Sequence, residues 1–242
     1  MSIAAQLVGV SVRTNGVQRL SPTSIEIPAG RITAVIGRNG SGKSTLLSLL
    51  AGELAPDTGH VEIDGLPLAG LSARERAQRR ALLSQERHVS FGFTVENVVS
   101  WGRVAWRGTP RSRDDQSIIN EALIRHDLAH IRQRAVTSLS GGERTRVHLA
   151  RVQAQQSALL LLDEADADLD LVTRQALDES LREHANSGRT VIVVSHDVAR
   201  MRHACDDVIL LREGAALLHG PAAEALNRSA LRDAFGIDVP WD

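Results

Sequence analysis

Nine consecutive residues leave this chain few ways to fold. Gly37, Arg38, Asn39, Gly40, Ser41, Gly42, Lys43, Ser44 and Thr45 satisfy every defined position of the pattern G-x-x-x-x-G-K-[ST]. Residues 31–36, with Ile32, Ala34, Val35 and Ile36, read as a short buried strand, and residues 44–50 read as a helix opening after the lysine. The three glycines let bare backbone N–H groups close around phosphate oxygens, and the helix directs its positive end at the same anion. Lys43 is expected to reach the outer phosphates and Ser44 to hold Mg²⁺ through its hydroxyl. Of the 28 basic residues, Lys43 is the only lysine. A compact ammonium has been kept at the one place where a point charge among phosphates is needed, and arginine serves everywhere else.

A length of 242 residues suits one large domain, or one domain with an inserted subdomain. The formal net charge of −1 gives no general bias toward nucleic acid or an anionic membrane. The single cysteine, Cys205, cannot form an internal disulfide and fits a reducing compartment, where it reads as a small buried apolar residue. No apolar run approaches the ~20 residues of a spanning helix, and the N-terminus lacks the form of a signal peptide, so the chain is expected to be soluble by itself.

In chain order, residues 7–12 and 24–27 read as strands around the turn Thr14, Asn15, Gly16. Residues 12–15 carry no aromatic ring and the protein has no tyrosine, which leaves an adenine either stacked on Arg13 or loosely held. A strand at 61–64 is followed by an arginine-rich helix at 71–80. Arg74, Arg76, Arg79 and Arg80 read as a solvated face rather than a nucleic-acid patch, because no aromatic platform is interleaved with them. Residues 81–85 form a buried strand ending in Gln85, at the edge where ligands gather in parallel sheets. Phe91, Phe93, Trp101 and Trp106 are four of the six aromatics, grouped around a helix capped by Thr94. They form either a satellite core or a partner surface. His126 and His130 stand at i, i+4 on a helical stretch, but without an adjacent Glu or a third ligand they read as surface histidines rather than zinc ligands.

Leu139, Ser140, Gly141, Gly142 and Glu143 make a second diagnostic stretch. The Ser140 and Glu143 spacing is a capping box opening a helix. Capping does not explain two consecutive glycines, which weaken a first turn but expose N–H groups to an anion. With one phosphate cradle already present, a second anion site points to the γ-phosphate of a nucleotide carried by another copy. Residues 158–164 are a buried strand delivering two carboxylates, Asp163 placed for Mg²⁺ and Glu164 placed to polarise the water attacking the γ-phosphate. Asp166, Asp168 and Asp170 mimic a calcium loop, but Leu171 and Leu177 occupy the positions where that loop needs glycine and glutamate. Residues 191–195 form another buried strand, ending at His196 on the same sheet edge, within reach of the γ-phosphate or the attacking water. A hairpin at 208–219 and short helices at 221–235 complete the chain.

With these elements in this order, the sequence resembles the nucleotide-binding subunits of ABC transporters over nearly its whole length. The family's Walker A motif is matched by residues 37–45, its Q-loop by Gln85, its signature by residues 139–143, its Walker B by residues 159–163, its catalytic glutamate by Glu164 and its switch histidine by His196. The resemblance implies an α/β fold: a P-loop NTPase with a RecA-like core, an N-terminal antiparallel β-subdomain and an inserted α-helical subdomain. Residues 1–86 and 158–220 would form the core, 87–157 the helical subdomain and 221–242 short terminal helices. It further implies ATP and Mg²⁺ as cofactors, with Ser44, Gln85 and Asp163 around the metal. A second copy would complete a head-to-tail dimer with Asp170 at its seam. The other partners would be a polytopic membrane permease and, indirectly, an extracytoplasmic substrate-binding protein, with no nucleic acid, at the cytoplasmic face of the cell membrane.

Two departures stand out. Where the family usually reads Pro-Thr-Ser-Ala-Leu-Asp after the glutamate, this chain has Ala165 to Asp170 with extra carboxylates near the expected seam. Arg144 and Thr145 replace two glutamines after the signature, while Arg146 fits. Residues 91–103 resemble the corresponding segment of the iron-siderophore, haem and cobalamin importers: an aromatic, a Thr-Val pair, a short apolar helix and a Gly-Arg. A soluble ABC ATPase acting on nucleic acid or in iron–sulfur cluster assembly is the alternative. It would need a basic surface, a coiled-coil insertion or a cysteine site, none of which is visible. A non-catalytic nucleotide-gated module is opposed by Glu164 and His196.

Overall fold

The computed structural model describes residues 2–84, 92–166 and 169–236. β1 (Ile3–Thr14) and β2 (Val17–Pro28) form an antiparallel hairpin that runs beyond the expected strands at both ends, because the ladder carries on from Thr14 opposite Val17 to Ile3 opposite Pro28. β3 (Ile32–Gly37) is buried along its whole length and leads through the glycine loop into α1 (Lys43–Ala51). β4 (Thr58–Ile63) pairs with β1, and β5 (Leu66–Pro67) pairs with β4. α2 (Ala73–Arg79) opens on a capping box made by Ser72 and Glu75, and runs directly into β6 (Arg80–Leu83). Three helices follow, α3 (Val95–Ser100), α4 (Asp115–Arg125) and α5 (Gly141–Ala154). The chain then alternates β7 (Leu159–Asp163), α6 (Leu171–Asn186), β8 (Thr190–Val194) and α7 (Val198–Ala204). It closes with the hairpin of β9 (Asp207–Arg212) and β10 (Ala215–Pro221), then α8 (Ala222–Ala225) and α9 (Arg228–Phe235).

The strands form two sheets. One is antiparallel, in the order β2-β1-β4-β5. The other, β10-β9-β3-β8-β7-β6, is parallel except for β10. β7 and β8 are continuous apolar runs, as strands covered on both faces must be. α1, with Leu46, Leu47, Leu49 and Leu50 fully covered, fills the space between the two sheets. The opposite face of the parallel sheet is covered by α6, α7, α8 and α9. A separate cluster of Val95, Val98, Val99, Leu123, Val147 and Ala150 unites α3, α4 and α5. Because β3, β7 and β8 run side by side in one direction, their carboxyl ends bring residues distant in sequence to one edge.

The aromatic group divides. Trp106 is buried, donating from Nε1 to the Gln155 carbonyl with the Arg111 guanidinium over its ring, whereas Phe93 and Trp101 make an edge-to-face pair that is about 40% exposed. Phe91 lies outside the described residues. Of the arginines of and after α2, Arg74 is exposed, as expected, and Arg76, Arg79 and Arg80 are partly buried. Arg74 donates to the Ala105 carbonyl, Arg76 to that of Gly52, and Arg79 pairs with Asp64, so this helix braces the sheet against the helical segment. His126 is likewise half-buried rather than superficial: its Nε2 shares a 2.7 Å hydrogen bond with Gln153, and burial pushes its pKa down to about 4. His130 is exposed, as expected.

Candidate functional site

The loop between β3 and α1 depends on glycine at two points. At Gly37 an added Cβ would lie 2.3 Å from the Leu211 carbonyl oxygen, and Gly42 has φ 104° with the Arg19 carbonyl 2.8 Å from where a Cβ would be. Around this loop is a cavity of about 350 Å³. It brings together Asn39, Gly40, Gly42, Lys43, Ser44 and Thr45 with Glu164 from the end of β7 and His196 from the end of β8. Arg19, on β2, also lines it. Sequence reasoning missed Arg19, since nothing local marks a strand residue that reaches a site through sheet-to-loop packing.

Lys43 is buried, and its Nζ donates to the carbonyls of Gly37 (2.9 Å) and Arg38 (3.1 Å). Desolvation lowers its pKa from the ordinary value, opposed by the carboxylates of Glu164 and Asp163. An ammonium has three protons, so this arrangement leaves one for an oxygen in the cavity. Asp163 shows the complementary effect. Burial and the neighbouring Glu164 raise its pKa, while a hydrogen bond from Ser44 and the charge of Lys43 pull it down. Its Oδ1 is buried with no partner among the described residues, a costly condition that a cation would relieve. A carboxylate with an orphaned buried oxygen beside an exposed serine hydroxyl is an oxygen donor set suited to a hard divalent cation.

Glu164 adopts φ 48°, a left-handed backbone that costs a non-glycine residue roughly 1 kcal/mol or more. Its N–H is held by the Val194 carbonyl at 3.2 Å. Its carboxylate is hydrogen-bonded to His196 Nε2 across the mouth of the cavity. The pair joins the Glu164 carboxyl group to an imidazole that is about half exposed. Gln85 lies outside the described residues.

Residues 139–143 are not brought to this cavity within one chain. Leu139 is anchored in the α3–α4–α5 cluster, Ser140 Oγ accepts from the Glu143 N–H, and Glu143 Oε2 accepts from the Ser140 N–H at 2.8 Å. The resulting cap leaves Ser140 and Gly141 exposed at the positive end of α5. Asp170 caps α6, accepting from the Thr173 N–H at 2.8 Å, and that hydrogen bond lowers its pKa. Beside it Leu171 and Val172 are almost 80% exposed. Asp166, expected to add charge at a seam with another copy, instead turns inward to Arg200 and Ser195. Asp168 lies outside the described residues.

The ABC transporter family pattern matches residues 20–167. The hemin import ATP-binding protein HmuV of Streptomyces coelicolor is 41% identical, over 96% of this chain and 83% of its own length. Its namesake in Pseudomonas putida is 40% identical, over 97% of this chain and 93% of its own. Among solved structures, cbiO1 from Clostridium perfringens, part of the ABC transporter complex cbiONQ, superposes with a TM-score of 0.82 at 25% identity. That match covers 98% of this chain and 97% of cbiO1.

Proposed function

This chain belongs to the ABC transporter family, and from that premise we propose that it binds and hydrolyses ATP to drive a membrane importer of haem or a ferric siderophore. The observation that carries the hydrolytic reading is the Glu164–His196 hydrogen bond at the mouth of the cavity that contains Lys43. The loop N–H groups and Lys43 bind the phosphate chain of ATP. Asp163 Oδ1 and the Ser44 hydroxyl would hold Mg²⁺, and Gln85 is assigned to the same set. The ion supplies neutralising charge to the phosphates when bound. Glu164 accepts a hydrogen bond from the attacking water and His196 fixes the direction of that carboxylate. The water oxygen bonds to the γ-phosphorus as the bond to the β–γ bridging oxygen breaks; ADP leaves with that electron pair and the water protons end on the phosphate product.

Ser140, Gly141 and Gly142 are assigned to the γ-phosphate held by a second copy, and Asp170 with the exposed Leu171 and Val172 to the seam between the copies. Transport rests on a membrane permease and on placement at the cytoplasmic face. Among the described residues no helix is long and apolar enough to cross a membrane, so the translocation path would belong to another subunit. The exposed Phe93–Trp101 pair has the character of a docking surface for that permease. The names of the relatives favour haem as cargo.

Uptake of haem, a ferric siderophore and cobalamin by cells lacking this gene tests the reading. Haem uptake is expected to fail and to return with the wild-type gene. Phe93→Ala or Trp101→Ala is expected to restore little uptake while the purified chain keeps its basal ATPase activity. Unchanged uptake of all three compounds in the deletion strain would refute the importer assignment.

A further inference from the structure

Glu164 and His196 leave the sheet on separate loops; the Glu164 N–H bond to the Val194 carbonyl ties their backbones at the strand ends, while the His196 side chain is about half exposed. A second set of contacts lies directly beneath them. The Asp166 carboxylate accepts from Ser195 Oγ at 3.1 Å and pairs with the Arg200 guanidinium of α7. Arg200 is clamped on its other side by Asp178 of α6, with Nε donating to Asp178 Oδ2 at 2.8 Å. Ser195 Oγ accepts in turn from the Asp197 N–H at 3.1 Å, and Asp197 Oδ1 caps α7 by accepting from the Arg200 N–H at 3.0 Å. The Asp166 and Arg200 side chains are only 12% and 11% exposed. Asp166 stands two residues after Glu164 and Ser195 one residue before His196, so these contacts close a ring. It runs from Glu164 to His196 through their hydrogen bond, along the backbone to Ser195, across to Asp166 and back to Glu164.

We propose that Asp166 and Arg200 are positioning residues that hold the glutamate and histidine in register, making one carboxylate the brace for both catalytic loops. A largely covered carboxylate held by a guanidinium and a hydroxyl is rigid, because moving it would strand charge in a partly desolvated setting. The inference rests on the assignment of Glu164 and His196 to hydrolysis. A misplacement of order 1 Å at such groups costs on the order of a hundredfold in rate.

The test is hydrolysis by the full-length chain carrying Asp166→Ala, with Asp166→Asn as the shape-conserving second variant. The turnover rate is expected to fall at least tenfold while ATP affinity stays within twofold, and in a His196→Ala background Asp166→Ala is expected to cost less than a further twofold. A merely structural role would lower thermal stability and add its cost in both backgrounds. Turnover within twofold of wild type for both variants, or a loss that is fully additive with His196→Ala, would overturn the inference while leaving the ATPase reading intact. A wild-type chain that binds ATP without hydrolysing it would overturn both.

Discussion

Replacing Lys43 by alanine removes the only lysine in the protein from the centre of its anion cradle. Two of the three ammonium protons are bound to the Gly37 and Arg38 carbonyls, leaving one for a phosphate oxygen. A hydrogen bond to a charged group contributes about 1.5–3 kcal/mol, which at about 1.4 kcal/mol per tenfold weakens ATP binding roughly 10- to 150-fold. The same substitution takes the donor from two loop carbonyls. At about 1 kcal/mol per hydrogen bond, and about 2–4 °C per kcal/mol for a chain of this size, the nucleotide-free melting temperature falls by several degrees. Lys43→Arg is expected not to rescue binding, because a planar guanidinium cannot reproduce the ammonium's donation to the Gly37 and Arg38 carbonyls and to a phosphate oxygen at once. Calorimetric titration with ATP and thermal melts of the apo-protein measure both effects. An ATP dissociation constant within threefold of wild type in Lys43→Ala would refute this account of the loop.

His126 and His184 are both held neutral by burial, with pKa values near 4. Between pH 6.5 and 4 the unfolded chain therefore binds more protons than the folded one. Their stabilising effect is full above pH 6.5 and lost as the pH falls through that window, by up to about 3 kcal/mol for each histidine. Urea unfolding at pH 7.5 and pH 5 should show this loss, and His126→Gln should reduce its slope; an unchanged slope in the variant would contradict the assignment. Chelation of divalent cations with EDTA is expected to suppress ATP hydrolysis more than tenfold and to be reversed by Mg²⁺, because Asp163 Oδ1 has no other partner among the described residues. Undiminished turnover in EDTA would exclude a metal role for Asp163 and Ser44.

Much of the site was legible because its motifs are local. The phosphate loop, the capping box at Ser140 and Glu143 and the strand delivering Asp163 and Glu164 each express, within a few residues, a demand of backbone geometry or charge. The apolar runs of β7 and β8 were equally plain. What escaped reading depends on contacts between distant segments. The insertion of β3 between β8 and β9 pairs residues more than 150 positions apart, and no local pattern carries that order; the division into an antiparallel subdomain and a parallel core was expected only from the family resemblance. Arg19 reaches the cavity only because β2 packs beside Gly42. Asp166 could be read from sequence only as an extra charge near a seam, since Arg200 and Asp178, which turn it inward, lie on two later helices. That Arg74 and Arg76 also tie α2 to other segments could not be read, because their backbone acceptors lie outside the helix.

The most direct test of the account is the Glu164→Gln variant in saturating ATP and Mg²⁺. Glutamine keeps the shape of the side chain and removes the charge that orients the attacking water, so ATP affinity should stay within a few-fold of wild type while turnover falls by about a hundredfold or more. The uncleaved nucleotide should then hold two copies together, with the protein eluting as an ATP-bound dimer in size exclusion and as a monomer without nucleotide. Turnover close to wild type, or a strictly monomeric variant with ATP bound, would contradict the assignment of Glu164 to hydrolysis or of residues 139–143 to a partner's nucleotide, respectively.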